Sequence, residues 1–346
     1  MTDRPELLGL NESRLAEVLG GSGRAREVKK LVAKGIDPFD ALDGRARRRL
    51  VERLSRTVLQ HVDESVSEDG TTKLLLGLRD GLRVECVLIP SLERTTLCVS
   101  TQVGCARGCV FCQTARMGLT RNLTMAEIVG QLFVALPAAS KAGIRAPTNV
   151  VFMGMGEPLD NADAVEAAVH ELIDHRSFAI AARRVTVSTV GPSPKAIART
   201  KGWPISLAWS LHSAREEVRR KLVPTARHSP LELRDAFVAL FEGSRRHLFV
   251  EITLIDGLND GLDDADAVAD LLEHFAEPRV NLLPVNPSES RLLPAKASAI
   301  DAFAARLSER GIFTIVRRAR GEDALAACGQ LATESGRRES GRDARF

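Results

Sequence analysis

The chain contains 346 residues, of which 44% are hydrophobic and 27% are charged, and its net charge is +3 at pH 7. This length can bury a substantial core, as one large domain or as two or three small ones. No apolar run approaches the ~18 residues that cross a bilayer, and the first residues lack the apolar core of a signal peptide. Six cysteines then indicate a reducing compartment, so we predict a cytoplasmic protein that uses thiols for metal binding or chemistry, without membrane association.

The first predicted region is helical and runs from Asn11 to about Val62. Apolar residues recur there at helical spacing, and glycine-rich turns divide the region into short helices. Between Arg24 and Arg56, eleven Lys or Arg residues stand against five Asp or Glu residues. This excess is compatible with a surface that neutralises nucleic-acid phosphates and, equally, with a solvated helical face.

The next region is predicted to be extended. Two apolar segments, Lys73–Leu78 and Leu82–Pro90, flank Asp80-Gly81, a dipeptide typical of a β-hairpin turn. After Thr95, apolar runs alternate with helical patterns. The runs begin near Thr96, Thr148, Val185, Ile205, Leu248, Val280 and Phe313, and the helical patterns include Ala126–Ala139, Ala162–Ile173, Ala265–Phe275 and Ala299–Leu307. Six or seven such units favour an α/β fold with a partial barrel, because a complete eight-stranded barrel takes about 250 residues.

The strongest chemical signal is a short loop that carries Cys105, Cys109 and Cys112. Closely spaced thiolates are typical ligands of iron–sulfur clusters, and three of them leave one iron of a cubane cluster open. A structural zinc site would need a fourth ligand, usually from a second Cys pair, and no such pair follows. The spacing therefore favours an open, reactive cluster over a closed zinc site or three unrelated buried thiols.

Polar residues also stand at the predicted ends of several strands. They are Gly156-Glu157, Ser188, Ser210-Leu211-His212 and Asn286. The carboxyl ends of parallel strands form the usual binding edge of such folds, and a carboxylate beside glycines could receive an ammonium group. Taken singly, these residues are more often turn formers or helix caps.

Several motifs together resemble the RlmN/Cfr family of radical S-adenosylmethionine (SAM) RNA methyltransferases. The resemblance extends from about Leu8 to Leu331, with the motifs in the same order. They are Leu97–Cys105, the Cys105–Cys112 loop, Arg121–Thr124, Gly154–Pro158 and Ala326–Leu331. One departure lies at Ser188–Pro194, where the early Pro192 replaces a common S-x-G-x-x-P pattern and could reshape the loop.

The resemblance implies a partial (βα)6 radical-SAM barrel with a small N-terminal helical accessory domain and a short β extension. The corresponding boundaries are 1–62 for the accessory domain with possible RNA docking, 63–94 for the linker and hairpin, 95–334 for the barrel, and 335–346 for a disordered basic tail.

The resemblance also implies the cofactors and their ligands. Cys105, Cys109 and Cys112 would hold a [4Fe–4S] cluster, and SAM would complete its coordination. The residues expected to bind SAM are Gly156, Glu157, Ser188, Ser210, Leu211, His212 and Asn286.

Three residues outside these sets acquire roles by the same resemblance. Cys328 would carry a transferred methyl group, and Cys98 would form a transient disulfide with it. Glu85 would accept a proton from the substrate, although a carboxylate on a strand is more often simply exposed. Two SAM molecules would be used per turnover.

The implied reaction is methylation of an adenine ring carbon in RNA, with carbon 2 favoured over carbon 8. The RNA would be 23S rRNA, tRNA or both, the electron donor a protein such as flavodoxin, and the enzyme a monomer. Two other classes, an iron–sulfur electron carrier and a non-catalytic RNA-binding module, would need neither a SAM pocket nor Cys328.

Overall fold

A computed structural model describes residues 4–56, 59–243, 246–286, 292–317 and 319–333. The predicted tail at 335–346 lies outside these residues. None of the helices in the described ranges combines the length and the apolar character that crossing a bilayer requires.

The N-terminal region consists of short helices around a small core of its own. The helices are α1 (Glu12–Leu19), α2 (Ser22–Val32), α3 (Pro38–Ala41) and α4 (Gly44–Arg53), preceded by a 3₁₀ turn at Leu7–Gly9. The Asn11 side chain caps α1 by accepting from the Arg14 N–H at 3.0 Å, and Gly20 ends it with φ 72°. The helical pattern predicted as far as Val62 is wrong at its end, because α4 ends at Arg53 and a strand begins at Gln60.

A β extension follows, made of β1 (Gln60–Val66), β2 (Thr72–Gly77) and β3 (Arg83–Pro90). Strands β2 and β3 pair antiparallel around the predicted turn, so the hairpin is confirmed. The prediction missed β1, which pairs with β2 as an outer strand. Its side chains are nearly all exposed, and a mostly polar strand lacks the alternation by which strands are recognised.

Nine further strands follow in the described part of the chain, and all but two of them belong to the barrel sheet. They are β4 (Thr95–Cys98), β5 (Gln102–Gly104), β6 (Leu119–Asn122), β7 (Pro147–Phe152), β8 (Val185–Thr189), β9 (Ser206–Ser210), β10 (Leu248–Leu254), β11 (Arg279–Pro284) and β12 (Phe313–Val316). Among the described residues, one ten-stranded sheet runs β1-β2-β3-β4-β7-β8-β9-β10-β11-β12, and β5 pairs with β6 separately. From β4 to β12 all neighbours in this sheet are parallel. The predicted fold class is confirmed.

Helices connect the parallel strands. They are α5 (Gln113–Arg116), α6 (Met125–Lys141), α7 (Ala162–Ile173), α8 (Pro194–Ala198), α9 (Glu216–Leu222), α10 (Pro230–Phe241), α11 (Leu262–Leu272) and α12 (Ala297–Glu309), with 3₁₀ turns at Pro158–Asn161 and Ala182–Arg184. The four predicted helical segments correspond to α6, α7, α11 and α12. A capping box of Thr124 and Glu127 starts α6.

The N-terminal helices pack directly on the barrel. Ala126 and Phe133 of α6 join their apolar core. A buried ion pair adds to this contact, because Lys29 of α2 binds the Glu171 carboxylate of α7 and donates to the Leu10 carbonyl at 2.8 Å. The carboxyl ends of the parallel strands meet at the edge of the sheet that carries the cysteine loop, and this edge holds the candidate site.

Candidate active site

The cysteine loop lies between β5 and α5 and is held by backbone hydrogen bonds to two other segments. Cys105 donates its N–H to the Gly118 carbonyl at 2.9 Å, and Val110 donates to the Leu222 carbonyl at 3.1 Å. Gly104 precedes the loop with φ +77°, and a Cβ there would stand 1.8 Å from the Gly118 carbonyl oxygen. Glycine is therefore required at this position.

The three loop thiols line one cavity of about 170 Å³ at the strand ends. Burial raises the pKa of Cys105 to about 12, and it also raises the pKa values of Cys109 and Cys112. Within the described ranges, no set of three or more His, Cys, Asp or Glu side chains is already gathered around a metal position. The donors still fit a cluster in type, number and shared cavity, and ligation would displace their protons and draw the sulfur atoms together.

Glu157 lies in the same cavity wall and is 3% exposed. Its carboxylate accepts from the Thr189 hydroxyl at 2.7 Å and from the N–H groups of Leu159 and Val190 at 3.0 Å each. Burial outweighs these donors and raises the pKa of Glu157 to about 7. A carboxylate held in this way is suited to bind an ammonium group.

The two glycines before Glu157 line the larger cavity and also pack closely against the chain itself. A Cβ at Gly154 would stand 2.7 Å from the Val99 carbonyl oxygen, and one at Gly156 would stand 2.7 Å from the Gln102 side chain. The lack of side chains permits this close approach to the 99–102 segment, and the predicted contact of Gly156 with SAM stays a prediction. The glycines let the Glu157 loop pack against the residues that follow β4.

The polar residues at the ends of β8 and β9 come together as predicted. The hydroxyls of Ser188 and Ser210 are hydrogen-bonded at 2.8 Å, and both line the cavity with His212. His212 has a strained φ of 61°, and burial lowers its pKa to about 3, so the imidazole is neutral. Its Nδ1 accepts from the Thr253 N–H at 3.3 Å, which leaves the proton on Nε2.

Leu211 differs from its neighbours. Its side chain is fully buried in the barrel core, and its N–H already donates to the Trp209 and Glu251 carbonyls. The contact between Leu211 and SAM stays a prediction. The burial and hydrogen bonds of Leu211 do not favour it.

Cys328 faces the same cavity from the segment after β12. Its side chain is accessible from the cavity. Asn286, expected to bind SAM, donates its Nδ2 to the Cys328 carbonyl at 2.8 Å. Asn286, which follows β11, therefore holds the backbone of Cys328, which follows β12.

Many contacts hold segment 319–333, which carries Cys328. On the cavity side, Gln113 donates its N–H to the Gly329 carbonyl at 2.7 Å, and Thr114 donates its hydroxyl to the Leu331 carbonyl at 2.6 Å. On the outer side, Arg320 binds the Asp69 carboxylate at 2.5 Å and the Pro90 carbonyl at 2.8 Å. Helix α5, which follows the cysteine loop, and the β extension together fix the position of the Cys328 segment.

Cys98, at the end of β4, lies 230 positions before Cys328. The two thiols line a second, smaller cavity of about 80 Å³. This cavity and the first share Cys328, Asn286 and Arg317 in their walls. Burial raises the pKa of Cys98 strongly. The fold thus brings the two predicted partner thiols to one place.

Glu85 lies apart from both cavities. It is buried in β3, 4% exposed, so the exposed alternative is wrong. Its carboxylate binds the Lys73 ammonium at 3.2 Å and accepts from the Ala332 N–H at 2.9 Å. Burial raises the pKa of Glu85 despite the lysine. Its role as proton acceptor stays a prediction, although Ala332 connects it to the Cys328 segment.

Several charged residues at the site, among them Arg107 in the wall of the larger cavity, were not predicted from the sequence. Glu251 and Arg317 both line the larger cavity, and Arg317 also lines the smaller one. Arg219 is 1% exposed and lies behind the cysteine loop. A glutamate inside the apolar run Leu248–Leu254 was a signal that could have been read. No comparable signal marked Arg219, whose helix carries several charges.

Comparison with known proteins adds family information. The sequence model of the Radical SAM superfamily matches residues 99–272. The chain is 39% identical to the dual-specificity RNA methyltransferase RlmN of Rhodopseudomonas palustris (strain BisB18), over 96% of this chain and 90% of the relative. It is 41% identical to the RlmN of Syntrophobacter fumaroxidans, over 83% and 86% of the two chains.

A solved structure is similar over almost the whole fold. It is that of a radical SAM methyltransferase from Sphaerobacter thermophilus, with a TM-score of 0.90 and 39% identity. The match covers 94% of this chain and 99% of that one.

Proposed function

The chain belongs to the RlmN/Cfr family of radical SAM RNA methyltransferases, and from this membership we propose that it methylates a ring carbon of an adenosine in RNA. A [4Fe–4S] cluster and SAM are the cofactors of this superfamily. Residues that fit both are present, namely the loop thiols and the pocket around Glu157. An electron carrier or a passive RNA-binding module would need neither that pocket nor Cys328.

The observation that carries the proposal is the position of Cys328, in the wall shared by both cavities. A thiol there can take a methyl group from SAM bound beside Cys105, Cys109 and Cys112. Cys98 lines the cavity on the other side of that wall. We propose that Cys328 is the methyl carrier and that Cys98 resolves the product.

Carbons 2 and 8 of adenine are not nucleophilic, so direct transfer of a methyl cation has no electron pair to use. When bound and reduced by one electron from an external donor, the cluster and SAM would supply the radical chemistry that takes hydrogen from a methyl group. The methyl carbon on Cys328 then bonds to the ring. We expect two SAM molecules per turnover, because the methyl group and the radical come from different ones.

We propose that Cys98, the second thiol, releases the product. Thiolate attack by Cys98 on the Cys328 sulfur forms a disulfide and breaks the bond between that sulfur and the methylene carbon, which takes up a proton to become the methyl group. The unpaired electron left by addition to the ring passes to the one-electron carrier, and an external reductant reopens the disulfide. Glu85 is the proposed acceptor of the ring proton. Its burial favours proton uptake, because the neutral form of a carboxyl needs less solvation.

The N-terminal helices are proposed to dock the RNA. Helix α4 presents Arg45, Arg47 and Arg48 to solvent. Exposed cations in one short helix can neutralise several phosphates without reading sequence. We further propose the domain boundaries given above, a monomeric enzyme, a flavodoxin-like electron donor and a cytoplasmic location.

Mass spectrometry of nucleosides tests the function. The reconstituted protein is incubated with SAM deuterated at the methyl group, a reductant, and either a 23S rRNA fragment or tRNA. We expect labelled 2-methyladenosine together with 5′-deoxyadenosine. Labelled 8-methyladenosine would establish the carbon-8 alternative, and 5′-deoxyadenosine without methylated adenosine in either RNA would contradict the proposal.

A further inference from the structure

Arg219 is a buried cation without a carboxylate partner among the described residues. It lies in α9 and is 1% exposed. Its Nη2 donates to the Val190 carbonyl at 2.5 Å, whereas its Nε is buried and has no acceptor in the described part of the chain. A buried charge left without an opposite charge is costly, so this arrangement needs an explanation.

Helix α9 forms the support behind the cysteine loop. Val218, Leu222 and Val223 pack against Cys109, Val110 and Phe111 in one apolar cluster. The N–H of Val110 donates to the Leu222 carbonyl at 3.1 Å. A side chain of α9 therefore keeps a constant position relative to the loop thiols.

Cys109 and Glu157 make no hydrogen bond or ion pair with Arg219 in the described part of the chain, but in their ionised forms they would lie close enough to stabilise its charge. Val190, which accepts from Arg219, donates its own N–H to Glu157 at 3.0 Å. Arg219 is not among the residues that line the cavity. It therefore stands behind the wall, where its charge acts on the site without direct contact to SAM or RNA.

Negative charge would accumulate at this wall in the loaded enzyme. Three thiolates and the sulfides of a cluster outweigh the charge of its iron atoms, and reduction adds one further electron. In a low-dielectric interior a fixed cation nearby stabilises the more negative state. It also offsets the cost of burying the arginine.

We propose that Arg219 is a positioning residue whose fixed charge compensates the cluster and favours its reduced form. The proposal rests on the proposed function only through the assignment of the cluster to Cys105, Cys109 and Cys112. It predicts that the charge of residue 219, rather than its shape, sets how readily the cluster accepts an electron.

The test compares two substitutions that separate charge from hydrogen bonding. Arg219→Gln removes the charge but can still donate to the Val190 carbonyl, and Arg219→Lys keeps the charge. Arg220→Gln is the matched control, because Arg220 is the next residue of α9, 59% exposed and paired with Glu216. All proteins are reconstituted with iron and sulfide, and the reduced fraction is measured by electron paramagnetic resonance at one fixed potential.

We expect the ratio of reduced to oxidised cluster to fall on the order of tenfold in Arg219→Gln. Arg219→Lys and Arg220→Gln should remain close to the unsubstituted protein. Loss of the cluster in Arg219→Gln but not in Arg219→Lys would also support a need for charge.

Equal ratios in the Gln and Lys variants would overturn the proposal, as would loss of the cluster in both. A failure of the proposed cluster assignment is recognised separately, because the unsubstituted protein would then bind no cluster in the first step.

Discussion

The molecule brings thiols to adjoining cavities in two different ways, by local sequence in the cysteine loop and by tertiary folding in the pair Cys98 and Cys328. In the loop, eight consecutive residues carry all three thiols, and the local backbone places them. The pair is separated by 230 positions, and it meets because β4 and the segment after β12 end at the same edge of the barrel. A local motif therefore accounts for the proposed cluster binding, whereas the whole fold is needed for the proposed transfer chemistry.

This difference has a structural counterpart in the contacts of Cys328. The backbone around Cys328 is held by Asn286, Gln113 and the Asp69–Arg320 pair, which come from three separate regions. Damage to the loop should thus abolish every activity, and damage to the support of Cys328 should affect only the later steps. The predictions below test this separation.

The largest effect is expected for the loop. Cys105→Ala, Cys109→Ala or Cys112→Ala should abolish the brown iron–sulfur absorbance and all formation of 5′-deoxyadenosine, because one missing ligand leaves two thiolates. Cys86→Ala is the control for loss of a buried thiol, since Cys86 is fully buried in β3. A loop variant with full iron content and full SAM cleavage would contradict the assignment of the cluster to these three thiols.

A smaller effect is expected at Glu157. Glu157→Gln should retain the cluster and weaken SAM binding on the order of 10–100-fold, because a charge-assisted hydrogen bond to the ammonium is lost. Asp163→Asn, at a carboxylate whose side chain is 90% exposed, should change nothing. Equilibrium titration with SAM measures both, and an unchanged affinity in Glu157→Gln would contradict the assignment.

The pKa of Glu157 gives the same site a pH dependence. Because burial raises this pKa from 4.5 to about 7, the carboxylate is ionised above pH 7 and becomes protonated below it. SAM affinity should be highest above about pH 7 and should fall by up to about tenfold per unit below it. The apo protein should show the opposite trend, gaining stability as Glu157 takes up its proton between pH 7 and 4.5. Glu157→Gln should remove both trends.

The smallest effect is expected at the outer support of Cys328. Asp69→Ala removes the carboxylate that holds Arg320 and the Gly321 N–H. This ion pair is partly exposed and worth about 0.2–1 kcal/mol, so methylation should fall only about two- to fivefold. Cluster content and SAM cleavage should not change, and hydrogen exchange in residues 319–333 should increase. Equal losses of SAM cleavage and methylation would show that the two regions are not separable.

Sequence patterns predicted the helices and turns that depend on neighbouring residues along the chain. Helix α7 has the bounds expected from its periodicity, and the Asp80-Gly81 turn lies in the expected hairpin. Strand β1 escaped prediction because it is polar and exposed and owes its conformation to pairing with β2. Strand β1 could therefore not be predicted from its own sequence.

The same limit applies to the site. The strand-end residues Ser188 and Ser210 were identified, but their mutual hydrogen bond depends on how β8 and β9 align. The proposed role of Arg219 depends on its packing behind the cysteine loop. The contact between Asn286 and the Cys328 carbonyl joins two separate strand ends. Tertiary contacts of this kind leave no local signal.

The central claim is that Cys98 and Cys328 act in succession on one adenine. The decisive measurement is a denaturing gel of purified Cys98→Ala and Cys328→Ala, each reconstituted and incubated with SAM, reductant and RNA. Cys98→Ala should accumulate a covalent protein–RNA adduct that nuclease removes, because no second thiol releases the product. Cys328→Ala should form no adduct, because no thiol accepts the methyl group. Normal turnover by Cys98→Ala, or the same loss of activity without adduct in both variants, would contradict this account.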